Sequence, residues 1–249
     1  MAAPDISTEH VLAAVDFAGD WENTVAHAAS IAQRLGASLH LVHVIEKSHW
    51  LLRKVLDERA LQAHEGDVRA QAERKLTAAA AAQAVPTDWT VCVGKPTVQI
   101  LATQKQLDAG LLVCGMGTPS GASLFLGGTA DRLLRLCPTP IYLCGPQPPS
   151  PIRTVLNPTG LGPGGQAAIE VGLELLGDEG TAYALYMTAL PSVMRSYSGD
   201  VMQLRRDLEA QAARELQAHV ASIDVPEGVQ LQTLLRTNLE TVPADQTIL

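Results

Sequence analysis

The chain has 249 residues, 47% of them hydrophobic, enough to bury a sizeable core in one large domain or two small ones. Its formal net charge of -8 gives no global electrostatic reason to hold a phosphate backbone, which argues against nucleic acid as a general partner. No apolar run approaches the roughly 20 residues that span a bilayer, and the opening MAAPDISTEH has two acids and no basic region, so a soluble cytoplasmic protein without signal peptide or membrane partner is expected.

Residues 11–15 are continuously apolar and end at Asp16, after which Trp21 to Leu35 place apolar residues at helical spacing until Gly36 stops them: strand, loop, helix. SLHLVHVI, residues 38–45, predicts a second strand, and the alanine- and charge-rich stretch 57–84 a long helix closed by Pro86. Residues 89–93 predict a third strand, 97–105 a short helix behind the turn Gly94-Lys95-Pro96, and 110–114 a fourth strand. A helix from Gly128 to Leu136 and a strand over 140–143 precede the proline-rich GPQPPSP. Short apolar strands alternating with helices imply a parallel sheet covered on both faces, with ligands at the carboxyl ends of its strands. The expected fold class is α/β, a Rossmann-like parallel five-stranded sheet flanked by helices.

Beyond the prolines the pattern restarts. Residues 154–160 overlay 11–16, with Gly160 in place of Asp16. Residues 167–176 overlay the first helix, 181–190 the second strand, 204–220 the long helix and 229–236 the third strand. The expected domains are therefore 1–145, a linker 146–151, and 152–249, a partial second copy that stops at Leu249 before its last two strands.

Two places could carry chemistry. Asp16 follows a buried strand, where a carboxylate can accept hydrogen bonds from ribose hydroxyls or simply cap a turn. Gly115-Met116-Gly117-Thr118-Pro119-Ser120-Gly121 and Gly127-Gly128-Thr129 can let phosphate approach the backbone at a helix start, or form a flexible loop with Thr129 as a cap. That run, residues 115–129, is neither a Walker A loop nor a G-x-G-x-x-G. Cys92, Cys114, Cys137 and Cys144 contain no C-x-x-C pair and read as reduced, mostly buried thiols. His40 and His43 read as satisfied strand histidines, not ligands. Residues 48–56, SHWLLRKVL, allow a packed surface helix, a partner-binding helix or a lid. GLGPGG, residues 160–165, reads as an ordinary turn before a helix, with an anion site as the lesser alternative.

The apolar first strand ending in Asp16, the strand LHLVHVIE, V-x-V-G-K-P, and above all the block GLLVCGMGTPSGASLFLGGTADRLLRLCPTPIYL resemble the universal stress protein family, of the adenine nucleotide α-hydrolase-like fold. Nucleotide-binding members carry G-x2-G-x9-G-(S/T) in that block. The resemblance places Gly115 at the first glycine, Gly128 at the third and Thr129 at the Ser/Thr, with Thr118 where the middle glycine is expected. A register using Gly117 and Gly127 puts Cys114 and Gly128 at the outer positions and loses the alignment of the flanking elements.

By the same resemblance Ala14, Asp16, Val44 and Ala130 complete the nucleotide-binding set. The implied ligand is ATP or another adenine nucleotide, with or without Mg2+. Thr118 adds a Cβ, and Pro119 restricts it, where the family has glycine, so a chain holding no cofactor is the alternative. The implied role is a stress-response module whose occupancy regulates protein association; the alternative is a ligand-free scaffold. No nucleophile with an oriented base and no metal constellation is visible, so at most slow ATP hydrolysis is expected. The absence of the S-G-G-x-D-S-type loop after the first strand argues against an enzyme of the wider superfamily. The truncated second copy has no last strand to pair with that of the first domain, 140–143, so either an unusual packing within the chain or a homodimer through that strand is expected.

Overall fold

The computed structural model describes residues 9–46, 57–116, 128–189 and 201–238. Two compact units divide the chain, Ser7–Ser150 and Pro151–Leu249, the latter grouped with the first six residues. Of the expected features, residues 48–56 and the loop 117–127 lie outside the described residues.

The first unit runs β1 (His10–Val15), α1 (Trp21–Leu35), β2 (Ser38–Ile45), α2 (Glu58–Ala81), β3 (Thr87–Val93), α3 (Pro96–Leu107), β4 (Leu111–Gly115), α4 (Gly128–Leu136) and β5 (Ile141–Cys144). Local chemistry sets several of these bounds. Asp57 caps α2 by accepting from the Ala60 amide at 2.8 Å. Pro96 opens α3, where its missing N–H costs nothing. All five strands are parallel, in the order β3-β2-β1-β4-β5.

That order makes the connection from β3 to β4 cross over β2 and β1. Ile100 of α3 and Leu133 of α4 accordingly pack on Leu12, Val42 and Leu112. Right-handed crossovers leave α1 and α2 for the opposite face. Among the described residues β5 pairs with β4 alone and forms one edge. The chain leaving it is tied back to α1, where Asn23 donates to the Pro146 carbonyl and His27 to that of Gln147.

The second unit has β6 (Thr154–Thr159), α5 (Pro163–Leu176), β7 (Gly180–Ala189), α6 (Val201–Val220) and β8 (Val229–Asn238), with a parallel three-stranded sheet in the order β6-β7-β8. Its core gathers Ile169, Leu173 and Leu176 of α5 and Leu216 of α6 over Ala182 and Ala184 of β7. α5 starts four residues before the expected 167, so that Gly164 and Gly165 belong to the helix and not to a long turn. Pro163 presets the first helical residue. A Cβ on Gly165 would lie 2.1 Å from Thr159 Oγ1, so only glycine brings that helical turn so close to β6.

Among the described residues β6 pairs with β7 alone. Leu156 is 44% exposed, whereas Leu12, at the matching register of β1, is fully buried. Thr181 donates to Arg153 O, and alternation along β6 then turns the nitrogen of Pro158 to the open side. An edge strand tolerates proline there, and the missing donor discourages pairing with another strand.

Candidate functional site

Side chains alternate across a strand, and the registers pair Leu12 with His40 and Leu112, and Ala14 with Val42 and Cys114. Leu12, Ala14, Val42, Val44, Leu112 and Cys114 therefore share the face that α3 and α4 cover. The cover is uneven. Leu12 is 0% and Val42 1% exposed, but one step nearer the carboxyl ends Ala14 and Val44 are only half-buried. An apolar ledge is left at the carboxyl ends of β1 and β2, beside the reversal of strand order between β1 and β4 where open α/β sheets take ligands.

Asp16 stands at the rim of this ledge, exposed, immediately after β1. Its Oδ1 accepts from the Ala18 amide at 2.9 Å; among the described residues Oδ2 accepts no hydrogen bond. Gly115, expected just beyond β4, is instead its last residue and pairs with Cys144. The Met116 amide extends that pairing by donating to the Cys144 carbonyl at 3.1 Å, which is why the strand runs one residue longer than its apolar run. Gly128, Thr129 and Ala130 form the first turn of α4; Gly128 is exposed and Ala130 is buried. Amides in the first turn of a helix have no intrahelical partner and form its partly positive end, and this helix packs through Leu133 on the ledge face. Thr118 lies outside the described residues.

An apolar ledge, a carboxylate and a helix start can bind a ligand that is flat and apolar at one end, hydroxylated in the middle and anionic at the other. Nucleophilic chemistry has less support. Burial, with smaller contributions from Cys144 and Cys137, pushes the Cys114 thiol up to about 12, so it stays protonated beside Ala14. Asp131, in the first turn of α4, is paired with Arg135 at 3.0 Å, and that hydrogen bond holds its carboxyl below the ordinary value. Among the described residues no group of three or more His, Cys, Asp or Glu side chains could hold a metal ion.

Behind Asp16 is a cluster that sequence reading missed. The Phe17 ring lies 4.2 Å from that of His43 and meets Trp21 edge-on at 5.0 Å, with Lys75 Nζ 4.8 Å from its centroid. His43 Nδ1 donates to Val15 O at 2.7 Å, and His40 Nε2 is 2.9 Å from Thr90 Oγ1. Trp21 opens a predicted helix and His43 lies in a predicted strand. Only the backbone of Phe17, at φ 57°, reveals why the four meet.

Burial pushes both His40 and His43 below their ordinary value of 6.5, outweighing the opposing pull of Asp88 on His40 and of Val15 O and Asp16 on His43. The unfolded chain therefore takes up these protons first. Their contribution to stability is complete above pH 6.5 and is lost as pH falls through the folded-state values. Thermal unfolding followed from pH 8 to about 5 should show a falling midpoint. His43→Asn, which keeps a donor for Val15 O but does not titrate, should flatten the fall; an unchanged slope would contradict the assignment.

A parallel sheet with helices on both faces, its order reversing between β1 and β4, makes the first unit a Rossmann-like α/β protein. The sequence model of the Universal stress protein family matches residues 7–144, more than half of the chain, and the chain belongs to that family. Among solved structures, a universal stress protein from Archaeoglobus fulgidus DSM 4304 is similar over 93% of this chain and 79% of its own, with TM-score 0.53 and 14% identity, a likeness of fold alone. The universal stress protein UspA from Lactobacillus plantarum covers 55% of this chain and 97% of its own, with TM-score 0.45 and 23% identity. A universal stress protein in complex with cAMP covers 56% and 98%, with TM-score 0.39 and 20% identity. No curated protein matches the chain. Among the described residues no helix is long and apolar enough to cross a membrane.

Proposed function

We propose that the first unit binds an adenine nucleotide, ATP or AMP, at the carboxyl ends of β1, β2 and β4, and that occupancy regulates its association with protein partners in the cytoplasm. The observation that carries this reading is the break in cover between Leu12 and Ala14 and between Val42 and Val44. An apolar ledge of half-buried side chains suits an adenine ring, and Asp16 beside it is placed to accept from ribose hydroxyls. The start of α4 with Thr129 suits the phosphates. With Cys114 held protonated, the residues support binding and at most slow hydrolysis, not a dedicated ATPase.

The same reading takes the second unit as a partial second copy, since β6-β7-β8 repeat the order of β1-β2-β3 and Gly160 follows β6 where Asp16 follows β1. That unit then contributes association, not nucleotide binding. The open edge of β5 is the surface through which a homodimer would form.

Calorimetric titration of ATP and AMP into the natively purified protein and into Asp16→Ala tests the proposal. A hydrogen bond to a charged group contributes about 1.5–3 kcal/mol, so the variant should bind roughly 10- to 100-fold more weakly. Light scattering with and without ATP should show a change in assembly. No heat at millimolar ligand, and no nucleotide in native mass spectra, would leave the ligand-free scaffold as the reading.

A further inference from the structure

Phe17 has φ 57°, in the left-handed region that a bulky side chain adopts only when its surroundings force it there. Three elements supply the force. Trp21, at the first residue of α1, meets the ring edge-on with centroids 5.0 Å apart. His43 of β2 lies against it at 4.2 Å and is itself fixed by donating to Val15 O. Lys75, from the last third of α2, places its ammonium 4.8 Å from the ring centroid, within the range of a cation–π contact. The backbone that this clamp fixes lies between Asp16 and the amide of Ala18, the two ends of the hydrogen-bonded turn that orients the Asp16 carboxylate.

We propose that Phe17 is the positioning residue of the nucleotide site: its ring, gripped by Trp21, His43 and Lys75, locks the left-handed backbone that aims Asp16. The affinity consequence rests on the nucleotide-binding reading; the geometric consequence does not. Removing the ring frees the backbone to leave φ 57°, the turn to Ala18 opens, and the carboxylate loses its fixed direction. A tyrosine keeps the ring and hence the lock.

The experiment uses the full chain and two readouts. In the ligand-free protein, the protection of the Ala18 amide proton from exchange with solvent is followed by NMR, with Asp16→Ala as the reference for the open turn. It should be protected in wild type and Phe17→Tyr, and exchange as in that reference in Phe17→Ala. In calorimetry with ATP, Phe17→Ala should bind about tenfold more weakly and Phe17→Tyr within about twofold of wild type. Lys75→Met, which trims only the cation, should weaken binding about threefold, and serves where Phe17→Ala fails to fold. An Ala18 amide that stays protected in Phe17→Ala overturns the proposal, as does unchanged affinity in Phe17→Ala or Lys75→Met when wild type binds. If wild type binds no nucleotide while Phe17→Ala releases the Ala18 amide, the nucleotide reading fails and the positioning role stands.

Discussion

Leu112→Ala is expected to cost the first unit about 2–5 kcal/mol, the range for truncating a large aliphatic side chain in a closed core. Leu112, the second residue of β4, is 0% exposed, pairs with Leu12 of β1 and with Ile141 of β5, and packs in one cluster with Val42, Ile100, Ala109 and Leu133. The void would open where sheet, α3 and α4 meet, and the close-packed strands on either side give it little room to collapse. All three tryptophans, Trp21, Trp50 and Trp89, fall in the first unit. Intrinsic fluorescence therefore reports this unit, and its melting midpoint should fall by about 8–20 °C. A shift under about 3 °C would show that the site relaxes and that this core is not the tight one described.

Gly228→Ala should damage the second unit by about 2–4 kcal/mol, combining the cost of a side chain at positive φ with that of a steric clash. Gly228 has φ 91°, and a Cβ there would lie 2.3 Å from the carbonyl oxygen of Asp178. The obstacle is backbone next to the start of β7, so no side-chain rotation relieves it. This unit already carries a weakness: Asn157 Nδ2, buried where β1 has Ala13, lacks a hydrogen-bond partner among the described residues, a defect worth about 1–3 kcal/mol. Far-UV circular dichroism should lose amplitude at lower temperature. An unchanged dichroism curve would contradict the clash.

The two predictions touch features of different legibility. The strands of the first unit could be read because their apolar runs end at Asp16, at Ile45 and near Gly115, and a residue just past a parallel strand lands at the sheet's carboxyl edge whatever the loops do. Asp16 followed from that, whereas Ala14 and Val44, which lie inside their strands, were implied by the family resemblance alone. Element ends were less visible. α5 begins at Pro163 because Gly165 must sit against Thr159, a contact between residues that no local pattern connects. Phe17 was hidden altogether. Positive φ is read in a sequence from glycine, and here an aromatic residue holds it through contacts with α1, β2 and α2 that only the folded chain brings together. The orphaned Asn157 was equally silent, since its burial depends on α5 lying directly over β6.

The central claim, that an adenine nucleotide sits on the ledge at the carboxyl ends of β1 and β2, is tested most directly by mapping amide and methyl NMR shifts as ATP is added. The account predicts changes at Ala14, Asp16, Val44, Gly115 and Gly128 to Ala130. Saturating ATP that moved none of these signals, or that moved only those of the second unit, would contradict it.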